Sequence, residues 1–174
     1  MSRICVASNY FAPIKSVKVE GNVLKLEKNE KVVIQTYDSI TKKSRVIEQT
    51  AGQFVFPKPK PGQTLTHTVL ATDGSILKEV TMKTKPLVPK IAQAFSQKSA
   101  LLSSNSKVAI NARWKKDDSH KKYIVKISLD NGKSIIATTT DPNFSIITDE
   151  TKGATITITA VGKNNLTSTV TRKI

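Results

Sequence analysis

Thr64-Leu65-Thr66-His67-Thr68-Val69-Leu70-Ala71 runs into Thr72-Asp73-Gly74-Ser75 and then Ile76-Leu77-Lys78-Glu79-Val80-Thr81-Met82. In the first stretch apolar residues alternate with Thr and His, the period-two pattern of a strand with one buried face. Asp73-Gly74 is a tight-turn signal, and the third stretch is again rich in strand formers. This reads as strand, turn, strand: an antiparallel hairpin.

Working back from it, further strands follow at short intervals. They are Ser16 to Gly21, Asn22 to Leu26, Lys31 to Tyr37, Arg45 to Glu48, and Gln53 to Phe56. Working forward, Lys107 to Trp114 and Lys121 to Leu129 are strands, and Asp130-Asn131-Gly132 is a turn. Lys133 to Ala137, Asn143 to Ile147 and Ala154 to Val161 follow, and Leu166 to Thr171 closes after the turn Gly162-Lys163-Asn164-Asn165.

The second half repeats the first. Phe54 matches Phe144 and Val80 matches Val170 at an offset of 90; Gly62 matches Gly153 and Leu65 matches Ile156 at 91. Each half holds a Phe-bearing strand, a polar turn ending in Gly, and a Thr-alternating hairpin. Two copies of one β-domain are expected, since two repeats are too few for a solenoid. Short strands at this spacing suit a sandwich. The expected fold is all-β: two tandem immunoglobulin-like antiparallel sandwiches. The boundaries are 1–14 (an N-terminal arm or first strand), 15–85 (domain 1), 86–104 (linker) and 105–174 (domain 2). The linker contains Pro86 and Pro89, and Ile91, Ala94, Phe95 and Leu102 fall near helical spacing. It reads equally as a short helix or as an irregular first strand of domain 2.

Thr68-Val69-Leu70-Ala71-Thr72-Asp73-Gly74 resembles the "V-x-A-x-D-x-x-G-N" end strands of bacterial immunoglobulin-like domains. The second half resembles a fibronectin type III domain. Trp114 stands on its second strand, Tyr123 opens the third, and Ile156-Thr157-Ile158-Thr159-Ala160-Val161 forms the sixth. The tyrosine usual early on that sixth strand is absent; Thr155 and Ile156 stand there. The resemblance covers roughly residues 12–84 and 105–174. It implies a spacer, adhesion or assembly module of the kind common in bacterial surface proteins and on tailed-phage particles, and it brings no catalytic residues.

Composition narrows the function classes. At 174 residues the chain is too short for a (β/α)8 barrel of about 250 residues. One cysteine excludes a disulfide framework, and no apolar run approaches the ~20 residues of a membrane span. The apolar stretch after Arg3 stops at Ser8-Asn9, short of a secretory h-region, so no cleaved signal is expected. Two histidines, His67 and His120, and Cys5 do not make a zinc set, which needs three or four ligands. Asp117-Asp118, flanked by lysines, reads as a solvated tip. No phosphate-cradling or nucleophile-elbow motif occurs. The chain is therefore read as a non-enzyme with no cofactor, no metal and no catalytic residue.

The net charge is +15, from 28 Lys+Arg against 13 Asp+Glu. Residues 1–88 carry 14 basic and 7 acidic groups and residues 89–174 carry 14 and 6, so the excess is +7 and +8. Only Arg3, Arg45, Arg113 and Arg172 are arginine. Base-reading proteins favour the bidentate arginine fork, which makes nucleic acid the least expected partner. Lysines suit diffuse attraction to an acidic surface or glycan, or plain solubility. The candidate basic surface is Lys42, Lys43, Lys58, Lys60, Lys115, Lys116, Lys121 and Lys122. The candidate attachment residues are Ile4, Cys5, Val6, Tyr10 and Phe11, apolar or aromatic groups ahead of the first clear strand; packing inside domain 1 is the competing reading. The expected function is a structural or assembly module docking on a larger protein assembly. A virion component is placed first (capsid decoration, head fibre or tail/baseplate protein). A host- or glycan-binding adhesion module at the bacterial surface or outside the cell is the alternative, and a polyanion or nucleic-acid binder is third.

Overall fold

The computed structural model describes residues 11, 13–98, 107–149 and 152–174. Every regular element among them is a strand. The chain divides into two compact units, residues 1–59 with 64–82, and residues 60–63 with 83–174.

The first unit holds β1 (Lys18–Glu20), β2 (Val23–Asp38), β3 (Ser44–Val55), β4 (Thr64–Leu70) and β5 (Ile76–Lys83, whose last residue falls in the second unit). They form one sheet in the order β1-β2-β4-β5, with β3 on the other edge of β2. The sheet is broken in the middle. Val23 to Leu26 pairs with Val55 to Gly52, and Lys31 to Tyr37 pairs with Thr50 to Ser44. Residues 27–30 thus face Ala51 alone. Ala51 and Gly52 take positive φ of 47° and 78°, and the Glu30 carboxylate accepts from the Glu27 N–H at 2.7 Å. Leu24 and Leu26 before the bulge and Val32 and Ile34 beyond it belong to one buried cluster with Phe56 and Val69. A sheet whose two halves share a core has folded over on itself.

The second unit has β6 (Ile91–Lys98), β7 (Lys107–Trp114), β8 (His120–Leu129), β9 (Ser134–Thr139), β10 (Asn143–Asp149), β11 (Ala154–Gly162) and β12 (Thr167–Lys173). Two sheets form, β10-β7-β6 and β12-β11-β8-β9. Their inward faces meet in a cluster centred on Ile110, Trp114, Tyr123, Val125, Ile127, Ile156 and Ile158. Trp114 and Tyr123 meet edge to face at 5.1 Å, the arrangement their ring quadrupoles favour.

The two units share one plan. The near half of β2 lies between β1 and the far half of β3, as β7 lies between β6 and β10. The far half of β2 lies between the near half of β3 and β4, as β8 lies between β9 and β11. Strands that are separate in the second unit are fused in the first, so β2 and β3 each run through both layers.

The helical reading of the linker is corrected. Residues 91–98 are β6, which pairs with β7 inside the second unit. The pairing shifts between Ile91 and Gln93, leaving Ala92 as an extra residue. This bulge puts Ile91 and Ala94 on the same, core-facing side. Their spacing of three, which resembles a helical face, is an alternating strand with one residue inserted.

His67 is fully buried on β4. Its ring lies 4.8 Å from that of Phe56, and Nδ1 meets the Thr36 hydroxyl at 2.9 Å. Burial lowers its pKa from the ordinary 6.5, more than the Pro57 carbonyl raises it; that carbonyl acts on the ring without hydrogen-bond geometry at Nε2. The folded unit therefore prefers the neutral ring, while the unfolded chain takes a proton as pH falls through about 6.5. Stability is full above that value and is lost toward the depressed folded-state pKa. The first unit should melt earlier at about pH 5 than at about pH 7.5. His67→Phe should flatten that slope, read by circular dichroism; an unchanged slope in the variant would assign the effect elsewhere.

Candidate interaction surfaces

Of the candidate attachment residues, Ile4, Cys5, Val6 and Tyr10 lie outside the described residues. Phe11 is 38% exposed, with the Lys31 ammonium 5.8 Å from its ring centroid.

The structure distributes the eight candidate lysines over both units. Lys42 and Lys43 are exposed in the β2–β3 turn, where Asp38 holds the backbone through Ile40 N–H at 2.8 Å and the Thr41 hydroxyl at 2.9 Å. Lys58 is exposed after β3. The other five belong to the second unit and gather at one end. Lys115 and Lys116 occupy the β7–β8 turn, and Lys121 and Lys122 begin β8 itself. Residues 60–63 lie against the same turn, because Gly62 sits directly beside Ser119, and this brings Lys60 there. The pairings Ile91 with Trp114 and Gly162 with His120 add Lys90 and Lys163 to that end. Sequence reasoning missed these two, since each is isolated in the chain and only strand register groups them.

Beneath the lysines is a polar joint. The Asp117 carboxylate accepts from the Ser119 hydroxyl at 2.6 Å and the Ser119 N–H at 2.9 Å. These bonds hold its pKa below the usual carboxylate range, the hydroxyl contributing most. Ser119 Oγ in turn accepts from Leu87 N–H at 3.1 Å. His120 Nε2 lies 2.7 Å from the Leu87 carbonyl, which can only accept, so Nε2 carries the proton. Nδ1 is then free to accept from the Tyr123 hydroxyl at 3.1 Å. Burial pushes that phenol above its usual pKa. Asp, Ser and His are adjacent, yet both ring nitrogens hold structural partners and Ser119 Oγ is bonded to Asp117 and Leu87. The arrangement fastens the strap 84–90 and has no poised nucleophile. Asp117, read from sequence as a solvated tip, is a turn cap.

Asn164 fastens the same strap from the β11–β12 turn. Its amide donates to Thr84 O at 2.9 Å and Gln63 O at 3.1 Å, and its Oδ1 accepts from Leu166 N–H. Asn164→Ala removes all three and should cost the second unit about 1–3 kcal/mol. Fluorescence of Trp114, the chain's one tryptophan, measures this directly.

A second surface is the outward face of β10-β7-β6. Gln93, Arg113 and Asn143 form one row across it, and Phe95, Asn111 and Ser145 the next. These side chains surround a hollow of about 270 Å³.

No family model matches the sequence, and no curated protein does. Among solved structures, a two-domain fibronectin type III segment from chicken tenascin aligns with a TM-score of 0.57. The identity is 14%, over 94% of this chain and 99% of that one. The fold is that of fibronectin type III domains in tandem. A tetra-tandem repeat from the extending region of a large adhesion protein also aligns, with a TM-score of 0.40, 12% identity, and coverage of 91% of this chain and 47% of that one. The strand plan of both fibronectin type III-like domains agrees with this assignment. The second domain shows it as separate sheets of three and four strands, and the first through its two shared strands.

Proposed function

We propose that the chain is a non-catalytic structural or adhesion module. It presents two fibronectin type III-like sandwiches from a larger assembly, and the first reading is a virion component: capsid decoration, head fibre or tail/baseplate protein. One observation carries the module reading. Among the described residues the buried polar side chains, His67, Ser119 and His120, each hold partners within their own unit, Thr36 for His67 and Asp117, Leu87 and Tyr123 for the other two. The eight candidate lysines stand on turns and at the start of a strand. Chemistry on this scaffold would need a polar group aimed at a ligand from within the fold; presentation needs only stable cores and exposed surfaces. The even charge of the two halves and the Lys-dominated surface fit docking on an acidic protein lattice. Exposed Leu87 and Val88, beside Lys90 and Lys115 around a hollow of about 460 Å³, give that basic end an apolar centre. The second reading, a host- or glycan-binding surface module, is favoured by the polar hollow on β10-β7-β6.

Density-gradient fractionation of the native source, followed with an antibody to the chain, separates these. Co-sedimentation with particles, resistant to high salt, is the expected result. Recovery with cell envelope would support the second reading. Recovery only with nucleic acid, and lost at high salt, would overturn both, because such binding is counterion release.

A further inference from the structure

We infer that the outward face of β10-β7-β6 is a saccharide subsite, and that the sugar it takes carries a carboxylate. This rests on the module reading above and adds a ligand class to it. Strand pairing fixes the layout: Gln93, Arg113 and Asn143 are cross-strand neighbours, and Phe95, Asn111 and Ser145 are the next outward-facing row. The hollow between them has a volume of about 270 Å³, near the lower end of small-molecule pockets at about 300 Å³. That suits a single ring-sized unit. Its floor is backbone, because Ala112 and Phe144 turn their side chains to the core.

The chemistry of the rim selects the ligand. Gln93, Asn111 and Asn143 are carboxamides, each offering a donor pair and an acceptor, which is what a ring of hydroxyls matches. The Ser145 hydroxyl donates to Asn111 Oδ1 at 2.7 Å, so that Asn111 presents its NH₂ outward. Phe95 is 37% exposed at the side of the hollow, a π face against which the C–H face of a sugar can lie. Arg113 is exposed between Gln93 and Asn143, and among the described residues no carboxylate pairs with it. A guanidinium fork without an acid is a site for a bidentate carboxylate. A nucleic-acid backbone would call for a row of cations; this face has Arg113 and Lys107, and Lys107 is already paired with Asp149 at 3.1 Å. A peptide would call for apolar pockets at alternate positions, and the hollow is lined by amides.

The test uses the ¹⁵N-labelled full chain titrated with glucuronic acid, with glucose, and with inorganic phosphate, followed by NMR. Glucuronic acid should shift the backbone and side-chain signals of Gln93, Asn111, Arg113 and Asn143. It should bind about tenfold more tightly than glucose, the difference a charge-assisted bond supplies. Arg113→Gln should bring glucuronic acid down to the glucose level. Phe95→Ala should weaken both sugars several-fold and leave phosphate unchanged. Lys116→Gln, at the basic end of the unit, should change none of them. Both patch substitutions are at exposed positions, and an unchanged Trp114 melting transition confirms that each variant folds. The inference is overturned if glucuronic acid moves no signal at this face. It is equally overturned if phosphate matches glucuronic acid, or if Lys116→Gln rather than Arg113→Gln weakens binding. The fractionation result stands apart from all of these, so a failed subsite leaves the module reading intact.

Discussion

Ile158→Ala should lower the stability of the second unit by about 2–5 kcal/mol, the range for truncating a fully buried aliphatic side chain. Ile158 is completely buried at the centre of β11. It pairs with Val125 on β8 and Val170 on β12, so the cavity would open where three strands meet and the walls can close little. A domain of this size melts about 4–8 °C lower for each kcal/mol lost, which places the expected shift at about 10 °C or more. Trp114 lies in the same cluster and is the chain's one tryptophan. Its fluorescence therefore reports the second unit alone, while far-ultraviolet circular dichroism reports both. The reciprocal substitution, Ile34→Ala, removes an equally buried residue from the first cluster. It should move the dichroism and leave the tryptophan transition in place. If Ile34→Ala moved the tryptophan signal as far as Ile158→Ala does, the two clusters would not be separate cores.

Much of this architecture was legible because the strands alternate. The Thr64–Met82 hairpin is where the pattern placed it: Ala71 N–H donates to Ser75 O at 2.8 Å across the Asp73-Gly74 turn. The offset of 90 also finds its physical basis. Phe54 and Phe144 stand at equivalent places in the two plans, as do Val80 and Val170. Three things were hidden. The polar stretch Glu27-Lys28-Asn29-Glu30 reads as a break, but it contains neither Gly nor Pro, and the chain bulges through it instead of turning. The corresponding break in the second unit is real because Asp117 and Ser119 form a hydrogen-bonded turn. The bulge at Ala92 gave β6 an apolar spacing of three, which periodicity cannot tell from a helix. The Gln93–Arg113–Asn143 row was invisible for a different reason. Its members are separated by tens of residues, and only antiparallel register brings them side by side. Glycan binding entered the sequence reading through overall charge, whereas the surface that fits a sugar is built from amides and a single arginine.

Gly62→Ala should cost the second unit about 2–4 kcal/mol, well beyond what a turn glycine ordinarily carries. Gly62 has φ of +73°, and a Cβ built there would lie 2.6 Å from the Ser119 carbonyl oxygen and 3.2 Å from its Cβ. The left-handed conformation alone costs an alanine about 1–2 kcal/mol. The contact adds to that because Ser119 cannot yield cheaply. Its N–H and hydroxyl are both bonded to Asp117, and its Oγ receives Leu87 N–H. Moving Ser119 would strain the strap that His120 holds through the Leu87 carbonyl. Gly62 itself donates to Thr84 O at 3.1 Å and Lys85 O at 3.2 Å, so the alanine cannot simply back away. Gly74→Ala supplies the control. Its φ is +87°, with nothing within 4 Å of the added Cβ, so it should show the conformational cost of about 1–2 kcal/mol alone, and in the first unit. Trp114 fluorescence should register the Gly62 variant and ignore the Gly74 one. Equal losses in the two variants would mean that the approach to Ser119 contributes nothing. The expected inequality would instead show that residues 60–63 are held against the β7–β8 turn by a contact only glycine permits, which is what places Lys60 beside Lys115 and Lys116.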